Sequence, residues 1–255
     1  MECCLLVGPS SVIGTSVVKG ILEIEQIPLI KLGRTGNFDE VRIEGLEVLG
    51  FNYDKCVGDW NFIIELLETL DVRIRFFILS TGYMALPDSQ IEVEEFLAAN
   101  HGNFVFPALA ATAFAKSSLF YSRTFLFLVS TSLYSLPYQE KHYVYQIAKE
   151  QLEKFIVQFW SSQGKSFPLV VIRPWHVATP LNSGISSNRF SIDINLISST
   201  IRKWLIKSET RFKAKRLTTL YVPSYLRLVR VLLKLLPRKV FLWAARVGAK
   251  SPKTH

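Results

Sequence analysis

The chain has few of the residues from which disulfide frameworks, metal centres and membrane spans are built. Its 255 residues include 3 cysteines, 4 histidines and 2 methionines. Two of the cysteines, Cys3 and Cys4, are adjacent, which gives no disulfide framework and suits a reducing compartment. No cluster of His, Cys, Asp and Glu has metal-ligand spacing, so no metal is expected. No uncharged run reaches the ~18 residues that a spanning helix needs. The start, Met1-Glu2, lacks a basic stretch ahead of an apolar one, so no secretory signal is expected and the expected location is cytoplasmic. Acidic residues are nearly absent from one part of the chain. Residues 201–255 hold 15 Lys and Arg against Glu209 alone, a net +14, whereas residues 1–200 hold 15 against 20, a net −5.

What is present, at 49% hydrophobic content, fits one soluble α/β domain. An apolar, partly β-branched run at 3–7 leads into Gly8-Pro-Ser-Ser-Val-Ile-Gly14 and then a helically spaced stretch. Strand, glycine-bearing turn and helix aim backbone N–H groups and a helix N-terminus at a phosphate. Gly8 suits the tight turn, Gly14 a close helix–strand approach, and Ser10 and Ser11 offer hydroxyls; an ordinary βα turn looks the same. Further strand-like runs lie at 28–32, 72–79, 124–129 and 169–174, with helical stretches between them, one of them over 92–115. Strands alternating with helices predict a doubly wound parallel sheet of Rossmann type, with ligands at the carboxyl ends of the strands.

The residues with proton chemistry fall at those ends. Tyr145 and Lys149 are four apart in Tyr143-Val-Tyr-Gln-Ile-Ala-Lys149, a spacing that shares one helix face. A cation near a phenol is expected to draw its pKa down from ~10 towards the working range. Ser132 precedes Tyr145 by thirteen residues, Asn100 lies in the helical stretch 92–115, and Ser80-Thr81-Gly82 follows the run at 72–79.

Taken together, residues 3–182 resemble the short-chain dehydrogenase/reductase family. Gly8 to Gly14 looks like its cofactor turn, Leu79 to Gly82 like its Asn-Asn-Ala-Gly segment, and Pro174-Trp-His-Val-Ala-Thr179 like its Pro-Gly-x-x-x-Thr stretch. Asn100, Ser132, Tyr145 and Lys149 match its catalytic tetrad. The resemblance implies hydride transfer between a nicotinamide cofactor and a carbonyl or carbinol carbon. It gives Tyr145 the substrate proton, Lys149 the cofactor ribose, Ser132 the substrate oxygen, and Asn100 a water on the proton path. It implies cofactor contacts from Gly8, Ser10, Ser11, Ile13, Gly14, Arg34, Asn52, Tyr53, Ser80, Thr81, Gly82, Tyr145, Lys149, Pro174, Val177 and Thr179. The chain departs from the family pattern at Val12, in the place of the middle glycine, and at Trp175, after Pro174. Asn52 stands where an aspartate is common, and Leu79 to Gly82 holds no asparagine. None of these changes removes a proton-handling group.

Cofactor choice turns on the end of the second strand. No carboxylate precedes Asp39 there, and Arg34 offers a forked donor suited to a 2′-phosphate, so NADP(H) is expected. A solvated loop arginine is the other reading of Arg34. Residues 181–200, rich in serine with Gly184, are expected to form a substrate lid that closes a domain over 1–200.

Residues 201–255 are expected to form a basic amphipathic helical extension. Its run from Tyr225 to Leu236 sets Arg227, Arg230 and Lys234 on a narrow stripe among leucines and valines. Such a stripe suits an anionic membrane surface met through 223–249, at the inner face of a membrane; packing on its own domain or on a sister subunit is the rival. So much aliphatic surface excludes nucleic acid as the expected partner, and a homo-oligomer stays open. The tail is also similar to that of a bacterial family branch that includes the ketoreductase partner of decaprenylphosphoryl-ribose 2′-epimerisation. That similarity implies a keto-sugar or a lipid-linked sugar as substrate. An acyl or steroid-like ketone, or a non-catalytic nucleotide-binding regulator, are the alternatives.

Overall fold

The computed structural model describes residues 1–8, 10–33, 41–43, 46–48, 60–82, 93–131, 143–164, 167–175, 177, 191–209 and 217–235. Four strands are apolar on both faces: β1 (Glu2–Val7), β5 (Arg73–Leu79), β6 (Phe125–Val129) and β7 (Leu169–Pro174). Runs of that kind belong in the middle of a parallel sheet covered by helices on both sides. They occupy that place, in the order β2-β1-β5-β6-β7-β8, every pairing parallel. The edges are β2 (Leu29–Leu32) and β8 (Leu217–Val222), which are buried only in part. A separate antiparallel pair joins β3 (Val41–Ile43) to β4 (Leu46–Val48).

Side chains alternate between two core layers, as the period of a strand requires. One face of the sheet (Leu5, Val7, Phe77, Leu126, Leu128, Val171) packs on α2 (Trp60–Thr69), α4 (Phe106–Lys116) and α5 (Tyr143–Ser162). The other face (Leu6, Phe76, Ile78, Phe127, Val170, Ile172) packs on α1 (Val12–Leu22) and α6 (Asn195–Glu209). Trp204 of α6 meets Phe125 and Phe127 edge-on at centroid distances of 6.0 and 5.9 Å. The register between β1 and β5 shifts at Cys3/Cys4, where Cys3 pairs with Ile74 and Cys4 with Phe76. That irregularity lets Ile74 and Phe77 both face the same core layer.

Two sequence expectations differ from the structure. The second half of the expected lid, from 195, is the start of α6, and Ile197, Ile201 and Leu205 on its inner side are fully or almost fully buried. Its serines and threonine are accommodated by hydroxyls donating back along the helix, Ser198 to Asn195 O, and Ser199 and Thr200 to Leu196 O. The expected domain limit at 200 therefore falls inside a core helix. Residues 217–222, assigned by charge to the extension, are strand β8, hydrogen-bonded in register to β7. The helix expected over 92–115 is present from 93 to 116 without a gap, as α3 (Val93–Asn100), a π-helical turn (His101–Val105) and α4. Residues 181–190 and 236–255 lie outside the described residues.

The contact between α1 and α6 needs a residue without a side chain. A Cβ on Gly20 would sit 2.5 Å from Ser198 O, a backbone atom with no room to yield. Gly20→Val is expected to lower stability by about 1–3 kcal/mol, read as a lower urea midpoint with an unchanged m value.

Candidate active site at the carboxyl edge of the sheet

The chain leaves β1 for β2 in one direction and returns past β1 to β5 in the other, which opens a crevice between the carboxyl ends of β1 and β5. Ligands of open α/β sheets bind at such switch points. The glycine turn sits there. Gly8 has φ +89°, a backbone conformation that a side chain strains, and a Cβ on it would meet Ser80 O at 2.5 Å. A Cβ on Gly14 would meet Ser80 Cβ at 2.6 Å, so both glycines are required by the end of β5. Ser11 caps α1, accepting from Gly14 N at 3.1 Å, and its hydroxyl shares a 2.7 Å hydrogen bond with that of Ser80. Ser11 and Ser80 thus lock the turn to β5, whereas Ser10 is exposed and Ile13 half-buried. The first turn of α1 contains no acidic residue, which leaves its N-terminus suited to an anion.

Tyr145 and Lys149 lie one turn apart on α5. Lys149 is 2% exposed and its ammonium donates to Thr81 O, just beyond β5. The helix that carries Tyr145 and Lys149 and the segment after β5 that abuts the glycine turn are therefore brought to one edge. The hydroxyl of Thr81 is buried without a hydrogen-bond partner beside them. That orphaned hydroxyl, the acid-free helix N-terminus and the bare backbone of the glycine turn fit a phosphate-bearing nucleotide, with Gly82 next in the same segment.

The electrostatics differ from the sequence expectation in one respect. Lys149 Nζ lies 5.9 Å from the centre of the Tyr145 ring, against its face. Burial pushes the Tyr145 hydroxyl up to about 12, and it pushes Lys149 down to about 8. Desolvation of both groups dominates, so the phenol is held in its protonated form.

Asn100 ends α3 half-buried, and the π-helical turn begins beside it. That turn packs on α5, with Phe104 edge-on to Phe155 at 6.1 Å. Asn103 inside it is fully buried and donates to Ala99 O at 2.7 Å. Pro174 ends β7, and Val177, buried beyond it, bridges to Ile192. Ser132, Arg34, Asn52, Tyr53 and Thr179 lie outside the described residues. No group of His, Cys, Asp and Glu among the described residues is arranged to hold a metal.

Sequence reasoning missed Glu153 and Arg173. Glu153 stands one turn beyond Lys149 on α5 and accepts from Arg173 of β7 through both carboxylate oxygens, one of them at 3.1 Å. Ser130 at the end of β6 donates to the same carboxylate at 2.6 Å, and Arg173 donates to the Tyr221 hydroxyl of β8 at 2.6 Å. The signal was an arginine inside an otherwise apolar strand, which needs a buried partner.

No protein-family model matches the chain, and no curated protein sequence matches it. Its fold is similar to that of a short chain dehydrogenase from Burkholderia cenocepacia in complex with NADP, at a TM-score of 0.69 and 11% identity over 98% of both chains. It is similar to an alcohol dehydrogenase from the archaeon Thermococcus sibiricus complexed with 5-hydroxy-NADP, at a TM-score of 0.64 and 16% identity, covering 87% of this chain and 95% of that one. It is also similar to a 4-hydroxyisoleucine dehydrogenase complexed with NADH, at a TM-score of 0.64 and 17% identity over 87% and 97% of the two chains. At these identities the likeness is one of fold.

Because Lys149 titrates near 8 in the folded chain against an ordinary 10.5, the unfolded chain holds more protons between those values. Stability of the parent should therefore rise as pH climbs from 8 to 10.5. Lys149→Met is expected to flatten that rise, with an advantage over the parent below pH 8 of at most about 3 kcal/mol that disappears by pH 10.5. Urea unfolding across this range measures both slopes. Identical slopes would show that the ammonium is not desolvated.

Proposed function

We propose that the chain is an NADP(H)-dependent oxidoreductase of the short-chain dehydrogenase/reductase type, interconverting a ketone and a secondary alcohol. The observation that carries this reading is the Tyr145–Lys149 turn of α5 tied through Thr81 O to the glycine turn at the switch point of the sheet. Fold neighbours that hold NADP or NADH lend support.

When bound, NADP(H) supplies or accepts the hydride. The chain's residues do the rest. Tyr145, protonated across neutral pH, donates to the carbonyl oxygen as charge develops on it in reduction and takes the proton back in oxidation. Lys149, charged below about 8, holds the cofactor ribose and stabilises the phenolate left behind. Ser132 holds the substrate oxygen, and Asn100 positions a water that returns the proton from solvent. Gly8, Ser10, Ile13, Gly14, Thr81 and Gly82 hold the phosphates and riboses, with Asn52 and Tyr53 at the adenine and Pro174, Val177 and Thr179 at the nicotinamide. Arg34 takes the 2′-phosphate. The tail resemblance supports a keto-sugar, free or lipid-linked, as the substrate class.

Tyr145→Phe is expected to lower kcat by about 10²–10⁴-fold while the Kd for NADPH stays within a fewfold of the parent. NADPH oxidation against a panel of carbonyl compounds and lipid extracts, with fluorescence titration of NADPH, tests this; a phenylalanine variant turning over at the parent rate would sink the mechanism. For the cofactor, the parent should bind NADPH more tightly than NADH, and Arg34→Asp should reverse the order. Equal affinities in the parent would contradict the role given to Arg34.

A further inference from the structure

Among the described residues, helix α7 (Leu226–Leu235) buries one side and exposes another. Val222 and Leu226 are 0% and 4% exposed, and the helix rests on β8. Away from that contact, Tyr225, Leu228, Val231 and Leu232 are 60%, 62%, 51% and 53% exposed. Their spacing of three, three and one puts them on one arc of the helix. Arg227 is exposed, and the basic positions 230 and 234 follow it at spacings of three and four, so a cationic stripe borders the apolar arc. Among the described residues no helix is long and apolar enough to cross a membrane.

We propose that α7 docks in the plane of an anionic lipid surface, its apolar arc entering the acyl boundary and its basic stripe meeting the headgroups. Charge selects this occupant over the others. A two-fold contact between copies would lay the same patch on itself. It would bring two cationic stripes together in a segment, 201–255, whose one acidic residue is Glu209. A nucleic acid would take the charge but leave four large apolar side chains in water. An anionic bilayer satisfies both components at once. Each basic residue near the surface adds about fivefold to partitioning, and the attraction weakens as salt shortens the Debye length. This inference does not depend on the proposed chemistry.

The test is flotation of the full chain with vesicles of phosphatidylcholine alone and of phosphatidylcholine with phosphatidylserine, at low and high salt. The variants are Leu228→Glu with Leu232→Glu, which breaks the apolar arc and spares Leu226, and Arg227→Glu. Circular dichroism and light scattering accompany each protein. The parent is expected to float with the anionic vesicles, to lose this in high salt, and to remain in solution with phosphatidylcholine alone. The double variant should lose flotation while keeping its circular dichroism, and Arg227→Glu should weaken partitioning at least fivefold. The proposal is overturned if the parent stays in solution with anionic vesicles or floats equally with neutral ones. It is equally overturned if light scattering shows a dimer that the double variant splits, or if the double variant unfolds, since the arc would then be covered by protein.

Discussion

The buried ion pair between Glu153 and Arg173 is the contact on which the arrangement of the carboxyl edge depends. Through it α5, β6, β7 and β8 share one hydrogen-bonded unit, with Ser130 and Tyr221 satisfying what the pair leaves over. Removing one partner of such a pair costs about 3–5 kcal/mol, whereas replacing both with apolar residues is often neutral. The pair is therefore better understood as fixing position than as adding stability. Glu153 is one turn from Lys149 and two from Tyr145, so the rotation of α5 about its axis is set by where Arg173 lies on β7. The same carboxylate holds Ser130, two residues before Ser132. One buried ion pair thus aligns α5, which carries two of the four proposed catalytic side chains, with the ends of β6 and β7.

Opposite that unit, close packing replaces charge. Gly8 and Gly14 bring the first turn against Ser80, and Gly20 brings α1 against α6. Along α1 the glycines therefore serve both ends of the helix, the binding edge and the core. Val12, in the place of the middle glycine, is the half-buried first residue of α1, and the contacts to Ser80 that demand a bare backbone belong to Gly8 and Gly14. Ser11 and Ser80 complete the seal, which leaves Thr81, next along the chain, as the hydroxyl with bonding capacity to spare.

Much of this was legible in the sequence, for identifiable reasons. Strands buried on both faces announce themselves as unbroken apolar runs, so β1, β5, β6 and β7 were placed within a residue or two. The glycine turn and the four-residue spacing of Tyr145 and Lys149 are local signals that needed no tertiary information. What failed was whatever depended on partners far along the chain. The start of α6 looked like a loop because its hydroxyls bond back within the helix, and its burying partner, Gly20, is about 180 residues away. The edge strand β8 alternates polar and apolar residues and was absorbed into a charged segment. The π-helical turn has no composition signal in His101 to Val105. The effect of Lys149 on Tyr145 was misjudged because the spacing says which face two groups share and nothing about how dry that face is. The roles read for Ser132, Arg34, Asn52, Tyr53 and Thr179 rest on the sequence alone.

The distribution of charge adds a constraint on the proposed chemistry. Residues 1–222, through the last strand of the sheet, carry 22 Lys and Arg against 21 Asp and Glu, a net +1, so an anionic cofactor is not strongly drawn in by the field of the domain as a whole. Its attraction has to be local. In the proposed reading, the acid-free N-terminus of α1, the ammonium of Lys149 and Arg34 supply it. Of these, Lys149 is the one whose charge varies near physiological pH, because burial has brought it to about 8. Binding an anion beside it would favour its protonated form and raise that value. In the proposed reading, the cation that holds the cofactor would thereby be strengthened by the cofactor's arrival. Tyr145, with the ammonium against its ring, is held protonated by burial and, in the proposed reading, gives up its proton only to a substrate oxygen on which charge develops.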